Sequence, residues 1–292
     1  MTIQNVAVVG GTHGNELTGI YLLNRWGKYP EKIERSSFST NLFVGNPKAI
    51  EQNRRFIDED LNRCFTLASL KSNEKATYES LRASYLNQII GPKGASAHDV
   101  VFDMHTSTSN CGVMLILMDD NKFNLRLAAY IQSQMPEAKI YFIPPSQTDQ
   151  PYLNSICANS LAVEIGPIPQ GVLRSDVTAL TEGVVYHGLD YIQSLNMNME
   201  PPIPASVEVF EFKESVSFPM TDGVVSGYIH HSLQDSDYQA LGAGDPLFEC
   251  LDGSVIRYDG PETVYPVFVN EAAYYYKNLA MSLCVKKSLR TD

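Results

Sequence analysis

Over its first 195 residues this chain alternates between two hydrophobic periods, and that alternation constrains its fold more than any other feature. Short apolar, β-branched runs at Val6–Val9, Leu42–Val44, Val100–Phe102, Val113–Leu117, Ile140–Ile143 and Leu161–Ile165 read as strands. Between them, Leu17–Trp26, Ala76–Ile90, Leu125–Met135 and Val177–Leu195 carry apolar residues at helical spacing. In the last, Val177, Leu180, Val184, Tyr191 and Leu195 fall close to one face. Strands and helices in alternation predict an α/β fold: a mostly parallel or mixed sheet with helices on both faces.

The pattern stops at Pro201-Pro202-Ile203-Pro204, three prolines in four residues, which ends a helix and stiffens a linker. Beyond it, Val207–Phe212 alternates, and Gly, Asp and Pro turns recur at short spacing. Two units are expected: 1–200, and a small β-rich domain at 206–292. The polar connection from Pro144 to Pro151 is long enough to be either a pocket wall or a surface excursion.

Composition narrows the function classes. The net charge of −11 argues against nucleic acid and anionic membrane surfaces as general partners. No apolar stretch approaches the ~20 residues of a membrane span. The opening residues lack a basic-then-apolar signal pattern. Five scattered cysteines without a Cys-x-x-Cys pattern fit reduced thiols in the cytoplasm. Assembly into a homo-oligomer is left open.

The chemistry starts at His13 and Glu16, which follow the first strand inside a Gly-rich turn. A strand would deliver His13 to the sheet's carboxyl edge, and one helical turn would bring Glu16 to the same side. Nitrogen and oxygen donors arranged this way suit zinc, and a catalytic zinc site takes three protein ligands. His105 is the third candidate, at the end of the strand Val100–Phe102, with Asp103 available either to orient it or as an ordinary ion-pair carboxylate. His98, His187, His230 and His231 read as surface or packing residues. Glu164 interrupts an apolar strand just before a Gly-Pro turn, where it serves either as general base or as partner of a buried arginine. The dense polar run Arg54–Arg63 reads as a solvated face, or as an anion clamp through Asn62 and Arg63.

Taken in order, His13-x-x-Glu16, Asn46-Pro47, Asp60-Leu61-Asn62-Arg63, His105, Val163-Glu164-Ile165-Gly166-Pro167, Gly171-Val172-Leu173-Arg174 and the run Val264–Tyr275 make the chain resemble the aspartoacylase family of zinc amidohydrolases, relatives of the zinc carboxypeptidases. The resemblance runs nearly end to end. It implies one zinc ion per chain, held by His13, Glu16 and His105. It implies hydrolysis of a small anionic N-acyl-L-amino acid, typically N-acetyl-L-aspartate to acetate and L-aspartate. Glu164 would move the proton, Arg55 would stabilise the oxyanion, and Asn62, Arg63 and Tyr274 would bind the substrate. Tyr274 comes from the C-terminal domain, so that domain would cover the cleft.

Two positions depart from the family. Where enzymes specific for acetylaspartate carry an arginine and a lysine, this chain has Asn154 and Asn278, with Lys277 adjacent. Loss of two cations weakens a pocket for a second carboxylate. Deacylation of neutral or aromatic N-acyl amino acids, a desuccinylase, and a carboxypeptidase-like peptidase are the alternatives. A non-enzymatic zinc scaffold fits less well, because structural zinc sites are usually cysteine-rich.

Overall fold

The structure, a computed structural model, describes residues 2–72, 76–145 and 149–292. Within the 144–151 connection, residues 146–148 therefore lie outside the described residues. The chain opens with strand β1 (Asn5–Gly10), helix α1 (Leu17–Lys28) and strand β2 (Ser39–Val44). Helices α2 (Pro47–Glu51), α3 (Leu67–Lys71) and α4 (Tyr78–Ile90) follow. Next come β3 (Val100–Thr106), β4 (Gly112–Leu117), α5 (Lys122–Gln134), β5 (Lys139–Phe142), β6 (Asn159–Gly166) and α6 (Ser175–Asn196). The six strands and four long helices expected from the periodicities are all present. Helices α2 and α3 are too short for a period to register; side-chain caps start them, Asn46 accepting from the Ala49 N–H and Thr66 from the Ser69 N–H.

The remainder holds β7 (Ser206–Ser217), β8 (Met220–Thr221), β9 (Val224–Val225), β10 (Gly227–Ile229), β11 (Pro246–Cys250), β12 (Val255–Arg257), β13 (Tyr265–Val267) and β14 (Leu279–Arg290). It is β-rich, as its turn spacing implies, but its long strands do not stand apart. One nine-stranded sheet runs β13-β14-β7-β5-β4-β6-β3-β1-β2. Val207 and Val209 explain this: both are buried in the core beneath the main sheet, so β7 docks beside β5. The sheet is mixed. β2, β1, β3 and β6 are parallel, β4, β5 and β7 are parallel, and the two sets meet antiparallel at β4 and β6. Strands β10–β12 form a separate three-stranded sheet.

The period of two along each strand sorts the side chains into two layers. Val6, Val8, Val100, Phe102, Met104, Leu161, Val163 and Ile165 pack with Trp26, Leu127, Ile131, Val184 and Leu189 of α1, α5 and α6. Ala7, Val9 and Val101 face the other way and pack with Leu86 and Ile90 of α4. Truncating a fully buried residue such as Phe102 to Ala would cost about 3–5 kcal/mol. On that second face Asp103, His105, Ala162 and Glu164 continue the alternation past the helix-covered part. One face of the sheet is all core; the other passes from core to site along the same strands. No helix among the described residues is long and apolar enough to cross a membrane.

Candidate active site

The turn after β1 is built by close approach. Gly14 donates its N–H to the Arg55 carbonyl at 3.3 Å. A Cβ there would lie 2.1 Å from the Ala49 carbonyl carbon, so no other residue fits. His13 and Glu16 are thereby held in a tight turn, the Glu16 N–H donating to the His13 carbonyl at 3.2 Å. A turn, and not the helical turn expected, closes the pair. Glu16 is the residue at which α1 begins, where the helix dipole favours a carboxylate.

His105 arrives from β3, and three buried donors converge. His13 Nδ1 is 2.6 Å from Glu16 Oε1, His105 Nδ1 is 3.0 Å from Glu16 Oε2, and the two Nδ1 atoms are 3.2 Å apart. Donors around a tetrahedral ion with bonds of ~2.0–2.1 Å stand about 3.3 Å apart, so this spacing accepts a metal with little movement. Each outer nitrogen meets a carboxylate: His13 Nε2 lies 3.0 Å from Asp60 Oδ1, and His105 Nε2 lies 2.8 Å from Asp103 Oδ2. Asp103 is itself fixed by the Thr12 hydroxyl at 2.7 Å. Such carboxylate–imidazole pairs orient metal ligands and raise their basicity. Burial opposes charge on His105, but Asp103 and Glu16 outweigh it and hold the imidazole well above its usual range. The site thus draws positive charge to the point where the donors meet. His13, Glu16 and His105 form a group able to hold a metal ion.

Glu164 stands beside His105 through the parallel register of β3 and β6. Burial pushes its carboxyl up to about 8, with Glu16 and Glu271 adding to the effect and His105 and Arg55 opposing it. Arg55 bridges Glu16 at 3.2 Å and Asp60 at 3.2 Å, while its buried Nε has no partner among the described residues.

These groups open into a cavity of about 290 Å³. Its floor is the second face of the sheet, with Ile116, Tyr141, Ala162, Glu164, Phe212 and Ser282 from β4, β5, β6, β7 and β14. One wall carries Asn62 and Arg63. Asn62 Oδ1 accepts the Leu153 N–H at 2.7 Å, which leaves its amide N–H groups for the cavity. The Arg63 guanidinium lies over the Tyr152 ring at 4.9 Å. The C-terminal part of the chain adds Phe268, Tyr274 and Lys277 to the lining. Burial, then Glu164, hold the Tyr274 phenol above its ordinary range, so it remains a hydrogen-bond donor at neutral pH.

All eight residues singled out from the sequence, His13, Glu16, Arg55, Asn62, Arg63, His105, Glu164 and Tyr274, surround this cavity or its metal-ligand corner. The two departures separate. Asn154 lines the cavity, is 2 % exposed, and has no partner for Nδ2 among the described residues. Asn278 caps the 272–277 turn at φ 56° and donates Nδ2 to the Phe218 carbonyl, while Lys277 lines the cavity instead. Asp60 and Tyr152 are not singled out by the sequence, and Lys277 is marked there only as the neighbour of Asn278. Asp58, Glu59 and Asp60 are alike in sequence, and only the 3₁₀ turn at Leu61–Arg63, capped by Asp60, shows which one faces His13.

The remaining histidines are peripheral. His98 is buried, with Nδ1 3.0 Å from the Ile90 carbonyl. His230 and His231, expected to lack partner ligands, lie beside Glu249, their candidate ligand atoms within 4.8 Å of one another.

The chain matches two family models, the succinylglutamate desuccinylase/aspartoacylase catalytic domain at residues 2–192 and the AstE/AspA barrel-sandwich hybrid domain at residues 205–286. It is 42% identical to a probable aspartoacylase of Trichodesmium erythraeum, covering 99% of each chain. It is 43% identical to the N-acyl-aromatic-L-amino acid amidohydrolase (carboxylate-forming) of Rattus norvegicus, covering 95% of this chain and 89% of the relative. The crystal structure of murine aminoacylase 3 superposes with a TM-score of 0.95 at 39% identity, covering 100% of this chain and 98% of that one. Sequence and architecture agree along the whole length, and the chain belongs to the succinylglutamate desuccinylase/aspartoacylase family.

Proposed function

We propose that this protein is a zinc-dependent amidohydrolase that cleaves N-acyl-L-amino acids to a carboxylate and the free amino acid. One observation carries the reading: a single cavity holds the His13–Glu16–His105 corner, an uncharged-prone Glu164 and, across it, the Asn62–Arg63 anion site. An acyl amide with an α-carboxylate spans those two ends. Zinc, when held by His13, Glu16 and His105, supplies Lewis acidity to the acyl carbonyl and to water.

The chain's own residues do the rest. Asn62 and Arg63 bind the α-carboxylate through charge-assisted hydrogen bonds. Glu164 accepts the proton of the attacking water and returns it to the leaving amine; a nearby dication would draw its raised pKa back toward the working range of a base. Arg55, locked by Glu16 and Asp60 where it lines the cavity, stabilises the developing oxyanion. Tyr274 donates a further hydrogen bond to the substrate. Residues 1–200 form the catalytic unit in this reading, and 206–292 close the cavity against larger peptides. A cytoplasmic setting rests on the scattered, unpaired cysteines.

Two substrate readings differ at the side-chain end. N-Acetyl-L-aspartate is the family's typical substrate, and Lys277 offers a cation, but burial and then the nearby Arg63 charge act against its own charge. The sheet-facing side includes Ile116, Tyr141, Ala162, Phe212 and Ser282, none of them a cation, with Asn154 at the departed arginine position. This favours acylated amino acids with neutral or aromatic side chains. The test is a panel of acetylated amino acids, assayed with and without a zinc chelator. Full activity after complete zinc removal would sink the mechanism; acetylaspartate outpacing every neutral and aromatic analogue would sink the side-chain assignment.

A further inference from the structure

Glu79, in the first turn of α4, is fully buried, yet its partners carry no charge. Oε1 accepts from Asn46 Nδ2 at 3.0 Å and the Ile57 N–H at 2.7 Å; Oε2 accepts from the Asp58 N–H at 3.0 Å and the Glu59 N–H at 3.3 Å. Burying a carboxylate is costly unless donors satisfy it, and three consecutive amides form such a concave anion seat. A carboxylate in the first turn would ordinarily serve its own helix. Here Thr77 caps α4, and Glu79 reaches outward to the segment between Arg55 and Asp60.

The contact is reciprocated: Asp58 accepts the Tyr78 N–H at 2.8 Å, and Glu59 accepts the Thr77 hydroxyl. Through Asn46 the same carboxylate reaches the metal-ligand turn. Asn46 caps α2, and Ala49 of α2 lies against Gly14 and accepts the Arg54 N–H at 2.9 Å. One buried carboxylate is therefore the common reference for the His13–Glu16 turn and the Arg55–Arg63 loop.

We infer that Glu79 is a positioning residue that holds the substrate-carboxylate site, Asn62 and Arg63, at a fixed distance from the metal-ligand corner. The inference rests on the deacylase reading and adds the element that sets the span between its two ends. Glu79 touches neither substrate nor metal; it acts through the loop.

The test combines E79Q with R63A. E79Q keeps the size but turns an N–H2 group toward amide donors. In the zinc-loaded protein, E79Q should raise KM for the best acetylated amino acid at least ~10-fold with kcat within about threefold. In the R63A background the same change should move KM by clearly less, since of the two groups through which it acts only Asn62 remains. Independently of any substrate, amide hydrogen exchange across 55–63 should quicken by at least ~10-fold while α5 and α6 stay protected. Should E79Q fail to fold, E79D, which withdraws the same acceptors by one methylene, should give smaller changes in the same directions. Unchanged exchange and KM in a folded variant overturn the inference, as does an equal KM effect with and without Arg63. If wild type hydrolyses no acylated amino acid but exchange across 55–63 still depends on Glu79, the deacylase reading fails and the positioning role stands.

Discussion

The two ends of the cavity are built by opposite means. At the candidate metal-ligand end charged groups brace one another: each imidazole meets a carboxylate, and Arg55 bridges Glu16 and Asp60, with only its Nε lacking a partner among the described residues. At the side-chain end the surfaces are Ile116, Phe212 and Phe268, held by packing, and the polar exception, Asn154 Nδ2, has no partner among the described residues. The first end leaves little freedom, because a displaced buried charge loses its compensation. The second leaves much, because apolar walls tolerate changes of shape at low cost when volume is kept. In the proposed function, reaction class belongs to the first end and substrate choice to the second.

Metal removal should break this contrast most severely. Chelation should take hydrolysis of every substrate to background, and zinc should restore it; activity on some substrates alone would show that the reaction end is not common to all. Next is Glu164→Ala, for which turnover should fall at least ~100-fold with zinc content and melting temperature kept. Wild-type kcat in that variant would remove Glu164 from the chemistry. Arg63→Ala should raise KM roughly 10-fold or more, the worth of a charge-assisted hydrogen-bonded contact, with a smaller effect on kcat. Equal KM values would show that the carboxylate binds elsewhere.

Asn154→Arg acts on the other end and should shift preference toward acetylaspartate over acetylphenylalanine by about tenfold, as a cation meets the second carboxylate. An unchanged ratio would place the substrate side chain away from Asn154. The smallest effect concerns the wall behind Phe268. Burial pushes the Asp237 carboxyl up to about 7, with Glu271 and Asp235 adding to it, while the N–H groups of Val269 and Phe268 oppose it. A folded-state pKa above the unfolded one means that the folded chain holds the proton longer. That stability is fully present below the ordinary carboxylate range and is lost as pH rises through about 7. Wild type should therefore lose more melting temperature than Asp237→Asn between about pH 5 and about pH 8. Parallel curves would remove Asp237 from the pH response.

Much of this was readable before folding. Strand and helix positions follow from local periods of two and 3.6 residues, which need no tertiary partner to be seen. His13, Glu16, His105 and Glu164 stand out in the sequence because a polar residue at or shortly after the end of an apolar strand is expensive to bury without a task. Asp60 and Glu79 were not found, for a reason that applies to both: a carboxylate among carboxylates, or one on a helix, looks solvated until the loop that covers it is in place. Asn278 shows the same limit, since its left-handed cap turns it toward the Phe218 carbonyl and hands its cavity position to Lys277.

The sequence alone, then, determined the α/β framework and pointed to the candidate metal-ligand trio and candidate base, because each is marked by residues close in the chain or by a strand's own alternation. The tertiary structure decided that β7 and β14 extend the main sheet, which carboxylates brace the imidazoles, and which side chains line the cavity. Those outcomes depend on pairings between residues 47 to more than 160 positions apart, such as Asp60 with His13 and Glu271 with Thr108. The free energy of such contacts exists only once the intervening chain has folded.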